Sequence, residues 1–350
     1  MNETKLGIAV VGLGSIAQGS ILPAFANSKQ AKLAGLVSRD KSKAVRVAEK
    51  FPAPAYSCDE YSSCVASPEV AAVYIATPQG EHAKYAVEAA QAGKHVLCEK
   101  PLAATVEQSR AMLEACRQNR VTLMTAYRKY FDPGTLFLKS LIRNGELGRI
   151  NVIHTSFSEL FVAGVSQAWL LDRRLAGGGP LMDLGVYCVN TCRWLVDEDP
   201  VEVSARQWCH NASLFREVEE GIAFQMNFPS GLLVLGSSTY GAAPSSFITV
   251  QGTKGWLSLN PAFPFEEPRR LVGKVSGQRI DQNFAVIDEF ALELDAFADA
   301  VLNHTRVEPD GEQGHRDVQI MAAIYESARN ARPVTLDLLR GSNNKQHVSA

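Results

Sequence analysis

The sequence has no apolar run near the roughly 18–20 residues that a membrane-spanning helix needs, since charged residues, glycines or prolines interrupt every candidate. That excludes a membrane anchor of this kind. Cysteine is sparse and odd in number, with seven residues at 58, 64, 98, 116, 188, 192 and 209. This is no disulfide framework, and reduced thiols are expected. Cys188 and Cys192 lie one helical turn apart, but no His or Cys cluster joins them at ligand spacing, so packing is expected there and no metal anywhere. An excess of one charge is also lacking: 35 Lys+Arg face 37 Asp+Glu. With no basic stripe carrying interleaved aromatics, nucleic acid is excluded as a partner. Met1-Asn2-Glu3-Thr4-Lys5 runs straight into an apolar strand-like segment without the features of a secretion signal, and a cytoplasmic location is expected.

What is present is a change of pattern about a third of the way along. Residues 1–150 carry 19 Lys+Arg against 13 Asp+Glu and the remainder 16 against 24, so the halves are +6 and −8. The first half would suit an anionic ligand, although ordinary solvated faces account for the counts equally well. From Leu6 to Thr125 short apolar runs (Leu6–Val11, Ala31–Val37, Val70–Ala76, His95–Cys98, Val121–Thr125) alternate with amphipathic stretches starting near Ile16, Lys41, Glu81 and Thr105. This predicts a doubly wound parallel sheet.

Beyond a helical segment at Pro133–Asn144, longer alternating runs follow without helices between most of them: Asn151–Ser158, Val201–Trp208, Gly221–Asn227, Leu232–Thr239, Phe247–Gln251 and Trp256–Leu259. They predict a mainly antiparallel, open-faced sheet. One helix from about Gly185 to Trp194 interrupts them, and Ala285–Asn303 and Arg316–Asn330 read as amphipathic helices. Gly341-Ser-Asn-Asn-Lys-Gln is expected to be a mobile polar tail. The fold class is therefore α/β, with an N-terminal domain over residues 1–126 and a C-terminal α+β domain over 127–340, whose last helix is a candidate to pack back on the first domain.

Directly after the first run comes Gly12-Leu13-Gly14-Ser15-Ile16-Ala17, a G-x-G-x-x-G/A match in the strand–turn–helix setting that gives it meaning. Gly12 permits the tight turn, Gly14 lets backbone approach a pyrophosphate, and Ala17 allows close helix packing; Ser15 and Ile16 complete the contact at a helix N-terminus. This is a Rossmann dinucleotide site. At the end of the second run, Val37-Ser38-Arg39-Asp40-Lys41-Ser42-Lys43 has no acid at position 38. Ser38, Arg39 and Lys43 can engage a 2′-phosphate, which predicts NADP(H) over NAD(H), while Asp40 remains an acid that could reach a ribose.

Glu99-Lys100-Pro101 and the distant Gly177-Gly178-Gly179-Pro180-Leu181-Met182-Asp183-Leu184-Gly185-Val186-Tyr187 together resemble the Gfo/Idh/MocA family of sugar and inositol oxidoreductases. Ala76-Thr77-Pro78 with His82, Ala126-Tyr127-Arg128 and Phe290-Ala-Leu-Glu-Leu-Asp extend the likeness over nearly the whole chain. The resemblance implies Thr77, Pro78, His82, Glu99 and Arg128 as further cofactor contacts, Lys100, Asp183 and Tyr187 as the catalytic set, and Trp169 beside them at the substrate. Lys100 sits at the carboxyl end of a parallel strand, where an ammonium can polarise the reacting oxygen and favour the anion of a neighbouring acid–base group. Asp183 and Tyr187, four residues apart, would share one helical face. Without the resemblance, Asp183 could serve only the helix dipole and Tyr187 only the core.

Tyr187 in place of the His of inositol dehydrogenase-like members is similar to the branch with glucose-fructose oxidoreductase, D-xylose dehydrogenase and dimeric dihydrodiol dehydrogenase. An aldose or polyol substrate is thereby implied, with dihydrodiol or dicarbonyl and anhydroketose chemistry as the nearest alternative. A non-catalytic NADP-binding regulator is the alternative from another class. Two departures stand out. Trp169 is followed by Leu170 where relatives often have arginine, leaving Arg173 or Arg174 to replace it, and the N-terminal arm by which glucose-fructose oxidoreductase holds its cofactor is missing, so exchangeable cofactor is expected. The open sheet face predicts a homodimer or larger homo-oligomer.

Overall fold

A computed structural model describes residues 5–338; the polar tail from Gly341 lies outside them. Among the described residues, fifteen strands form two sheets. The first comprises β1 (Leu6–Val11), β2 (Ala31–Ser38), β3 (Ala55–Ser57), β4 (Ala72–Ile75), β5 (His95–Glu99) and β6 (Leu123–Ala126), all parallel in the order β3-β2-β1-β4-β5-β6. The order reverses between β1 and β4, which opens a crevice at their carboxyl ends. β3 has only three residues and no apolar run, which is why the sequence pattern does not reveal it.

The second sheet comprises β7 (Ile150–Leu160), β8 (Glu202–Trp208), β9 (Gly221–Asn227), β10 (Leu233–Thr239), β11 (Gly241–Gly252), β12 (Gly255–Asn260), β13 (Arg269–Val275), β14 (Gln278–Phe284) and β15 (Val334–Thr335). Its order is β14-β13-β12-β11-β7-β10-β9-β8-β15, antiparallel except for the parallel pair β7 and β10. The hairpin β13–β14 is absent from the sequence reading because β14, Gln-Arg-Ile-Asp-Gln-Asn-Phe, is an edge strand whose only apolar side chains are Ile280 and Phe284. Helices Pro133–Arg143, Val186–Val196 and Gly311–Asn330 pack against this sheet.

Two late helices begin elsewhere than the periodicity indicates. Helix Glu289–Leu302 starts after Asp288, whose carboxylate accepts from the Ala291 amide at 2.9 Å. Helix Gly311–Asn330 starts five residues before Arg316, capped by Asp310. Helix Glu289–Leu302 crosses back onto the parallel sheet, where Phe290, Leu294, Phe297 and Ala298 share one buried core with Ile8, Val10, Leu36 and Leu97. Asp295 fastens it there by accepting from Ser28 Oγ (2.6 Å) and the Lys29 and Gln30 amides (2.8 and 2.9 Å). No helix of the described residues is long and apolar enough to cross a membrane.

Candidate active site

A cleft of about 1080 Å³ opens at the switch point between β1 and β4 and runs to the second sheet. One wall is the Gly12–Ser15 turn. Gly12 has φ +94°, and a Cβ there would lie 2.6 Å from the Ala76 carbonyl oxygen, so the turn accepts only glycine. Nothing lies within 4 Å of the Cβ position at Gly14, which leaves backbone open to a ligand. Ile16, Thr77 and Pro78 line the same stretch, and the buried Thr77 Oγ1 has no hydrogen-bond partner. An open glycine backbone and an orphaned hydroxyl fit the phosphate-bearing part of a dinucleotide.

Ser38, Arg39 and Lys43 line the outer end. Asp40 does not. Its carboxylate accepts from the Ser42 hydroxyl (2.7 Å) and amide (2.9 Å), capping helix Lys41–Lys50, and these bonds, the hydroxyl's first, hold it below the usual aspartate range. The acid left open by the sequence is thus engaged as an N-cap.

At the inner end Lys100 Nζ donates to the main-chain oxygen of Asp183 (2.8 Å) and to its Oδ1 (3.2 Å), while Tyr240 donates to Oδ2 at 2.8 Å. The same ammonium stands 4.8 Å from the centre of the Tyr187 ring. Burial acts to lower the Lys100 pKa, but Tyr187, Asp183 and Glu99 outweigh it and hold the group above the usual lysine range. It is a cation at neutral pH.

Asp183 and Tyr187 both line the cleft and both stand beside Lys100. Asp183 lies in a π-helical turn, Leu181–Gly185, and Tyr187 in the first turn of the α-helix that follows. The turn is pressed onto β10, since a Cβ at Gly185 would fall 2.8 Å from Ser238 Oγ. Upstream, a Cβ at Gly178 would meet the Tyr325 hydroxyl at 2.0 Å and one at Gly179 the Glu219 carbonyl oxygen at 2.4 Å. Glu219 accepts from the Gly179 and Leu181 amides and from Tyr325. The triple glycine therefore exists for close approach, and it seats the strand of chain that carries Asp183.

Arg128 lines the cleft, with Nη1 donating to Glu289 Oε2 (2.8 Å) and Nη2 to the Phe263 carbonyl oxygen. Its guanidinium faces the rings of Tyr187 (5.0 Å) and Phe265 (4.9 Å), and Phe157 of β7 also packs on the tyrosine at 6.0 Å. Glu289 also pairs with Arg269, which reaches Asp132 at 2.9 Å. His82, fully buried, turns both ring nitrogens to backbone carbonyls, Thr77 at 2.9 Å and Leu102 at 3.2 Å, so its polar contacts tie two site loops together.

Trp169 reaches the cleft from the segment after β7, its indole N–H donating to Gln167, whose amide in turn donates to Ser15 Oγ at 2.7 Å. Arg173 and Arg174 do not line the cleft; they engage Glu217 and Asp172. Neither takes the missing arginine's place. Gln167, Tyr240, Glu289 and Glu293 are site residues the sequence reading missed. Only the last two left a signal there, as carboxylates one turn apart on the buried stripe that also carries Phe290 and Phe297. Among the described residues no group of three or more His, Cys, Asp and Glu is placed to hold a metal ion.

A dinucleotide cradle opening onto an acid–base cluster belongs to a dehydrogenase or reductase of CH–OH groups that uses a nicotinamide cofactor. Residues 6–127 match the NAD-binding Rossmann-fold model of the Gfo/Idh/MocA oxidoreductase family and residues 139–336 match its C-terminal alpha/beta domain, and the chain belongs to that family. It is 33% identical over 339 residues to the NADP(+) D-xylose 1-dehydrogenase of Haloarcula marismortui, covering 96% of this chain and 94% of that one. With the 1,5-anhydro-D-fructose reductase of Ensifer adhaerens it shares 29% identity over 78% of this chain and 82% of the other. Among solved structures, aldose-aldose oxidoreductase from Caulobacter crescentus in complex with glycerol superposes with a TM-score of 0.90 at 34% identity, covering 95% of this chain and all of that one.

Proposed function

We propose that the protein is an NADP(H)-dependent oxidoreductase of a sugar-like substrate, an aldose, polyol or related carbonyl. Residues 1–126 hold the cofactor, and residues 127–340 supply the substrate site and the assembly surface. The observation that carries this reading is the convergence of Lys100, Asp183 and Tyr187 at the inner end of the same cleft whose outer end presents Ser38, Arg39 and Lys43. When bound there, the nicotinamide accepts or gives the hydride. Tyr187 gives or takes the hydroxyl proton, Lys100 polarises the reacting oxygen, and Asp183, held by Lys100 and Tyr240, anchors a neighbouring hydroxyl. Gly12, Gly14, Ser15 and Ile16 hold the pyrophosphate, Thr77 and Pro78 the opposite wall, and Trp169 the substrate side. His82, Glu99 and Arg128 line the cofactor side of the cleft and position the groups around it.

A preference for NADP(H) follows from Arg39 and Lys43 beside a buried Ser38 and from Asp40 being spent on its helix cap. The NADP(+) named in the Haloarcula relative supports it. The exposed Leu235 and Trp256 on β10 and β12 support pairing of two copies through the second sheet, which light scattering tests.

The decisive experiment is a panel of aldoses, polyols and dicarbonyls with NADP+ and NADPH, followed at the nicotinamide absorbance band. Turnover of at least one member is expected; none at all would leave a non-catalytic regulator on this fold. The likeness to an aldose-aldose oxidoreductase favours a second reading, in which one cofactor molecule stays bound and is alternately reduced and oxidised by two sugars. Nicotinamide absorbance that survives dialysis of the purified protein would establish that reading over an exchangeable cofactor.

A further inference from the structure

Tyr74, on β4, places its hydroxyl 2.9 Å from Glu99 Oε1 at the end of β5 and 3.1 Å from Glu293 Oε1 on helix Glu289–Leu302. Tyr74 and Glu293 are each 1% exposed, and the second oxygen of Glu293 has no partner. A phenol carries one proton and can donate to one carboxylate at a time; the other contact is a hydrogen bond only when that carboxyl is protonated and donates to the phenol oxygen. Two ionised carboxylates around a single donor, away from water, would face the repulsion that makes close acid pairs share a proton.

The surroundings do not remove that need. Lys100 follows Glu99 and is already paired with Asp183; Arg128 is the other nearby cation and is bonded to Glu289, one turn before Glu293. Cys98, the remaining titratable neighbour on β5, is buried and pushed up by burial. Burial raises Glu99 against the opposing pull of Lys100, and burial followed by the charge of Glu99 raises Glu293 well above the carboxylate range. Of the two acids, Glu99 lines the cleft beside Lys100, where the reacting ring would lie.

We infer that Glu99, Tyr74 and Glu293 hold one proton between the two carboxyls in the resting protein and release it to solvent when an oxidised, positively charged nicotinamide occupies the cleft. This rests on the cofactor reading above. One carboxyl and one carboxylate become two carboxylates and a free proton, and Glu99 then faces the ring as an anion. With a reduced, neutral ring the pair keeps its proton. The two glutamates thereby bias the balance between oxidised and reduced cofactor in a pH-dependent way, acting as positioning groups behind Lys100.

The test is titration calorimetry of the full chain with NADP+ and, separately, NADPH, each at pH 7.5 in phosphate and in Tris, buffers of different ionisation heat. Proton changes at the 2′-phosphate or at histidines enter both cofactors alike, so the difference between them isolates the ring charge. NADP+ is expected to release more protons than NADPH by a large fraction of one, and its affinity alone to rise with pH, by at most roughly tenfold per unit. Both effects should vanish in Glu293→Gln, which keeps the side chain's shape, and in Glu99→Gln, which tests the other acid should the first variant not fold. Equal proton release for the two cofactors in the wild-type protein, or a difference that survives in these variants, would overturn the inference. Binding of neither dinucleotide would instead overturn the cofactor reading itself.

Discussion

Lys100 grips Asp183 at two points, its main-chain oxygen at 2.8 Å and its Oδ1 at 3.2 Å, so one ammonium joins the end of the parallel sheet to the turn that carries the substrate-side acid. Lys100→Met removes both bonds and the charge while Tyr240 still holds Asp183 through Oδ2. Turnover should fall roughly a hundredfold or more, with dinucleotide affinity changed only a few-fold. Steady-state kinetics beside a fluorescence titration checks this. Near-normal turnover would take the lysine out of the chemistry.

Tyr187 is packed among Phe157, Phe263, Lys100 and Arg128, so Tyr187→Phe preserves the ring contacts and deletes only the hydroxyl. The maximal rate should drop by roughly two orders of magnitude or more, with NADPH affinity and melting temperature nearly unchanged. If the rate holds, the proton takes another route.

Arg39 is exposed at the outer end of the cleft, beside the buried Ser38. Arg39→Ala should weaken NADP(H) binding about tenfold or more and NAD(H) binding little, because only the former carries a 2′-phosphate. Dissociation constants for all four dinucleotides decide it, and equal losses would refute the preference.

The bridge from Trp169 through Gln167 to Ser15 lays a segment of the second region across the glycine-rich turn. Gln167→Ala breaks it at an exposed position and costs little stability. Cofactor dissociation, followed by stopped-flow fluorescence, should quicken several-fold while turnover chemistry in single-turnover experiments is unchanged. An unaltered release rate would leave the bridge without a holding role.

Glu293 offers a stability test with a definite sign. Its folded pKa is raised above the ordinary value, chiefly by burial, so its favourable contribution is complete below about pH 4.5 and is lost as pH rises toward the folded value. Glu293→Gln cannot ionise. The melting temperature of the variant relative to wild type should therefore climb between pH 5 and pH 8, and a flat difference would mean that the glutamate is not held protonated in the fold.

Much of this site was written in the chain itself. The apolar runs and the Gly12–Ala17 turn determine a parallel sheet with a dinucleotide cradle, because strand periodicity, glycine geometry and helix N-termini are local physics. The triple glycine likewise marks a close approach that no side chain could survive, although not what approaches. Short or largely polar strands such as β3 and β14 were invisible, since pairing with a neighbour, more than their own pattern, makes them strands.

Three matters were decided only by tertiary structure. Asp40 was an open ribose ligand in the sequence, and only the helix it caps removed it. Arg128 reads as a free cation until Glu289 and Phe263 are found to accept from two of its N–H groups, so that it reaches the cleft already paired. Glu99, Tyr74 and Glu293 are 25 and 219 residues apart as bonded pairs, and their shared proton arises solely because a late helix folds back over the first sheet. Local sequence determines which groups a segment can offer; which of them are already spent depends on partners that the chain brings from far away.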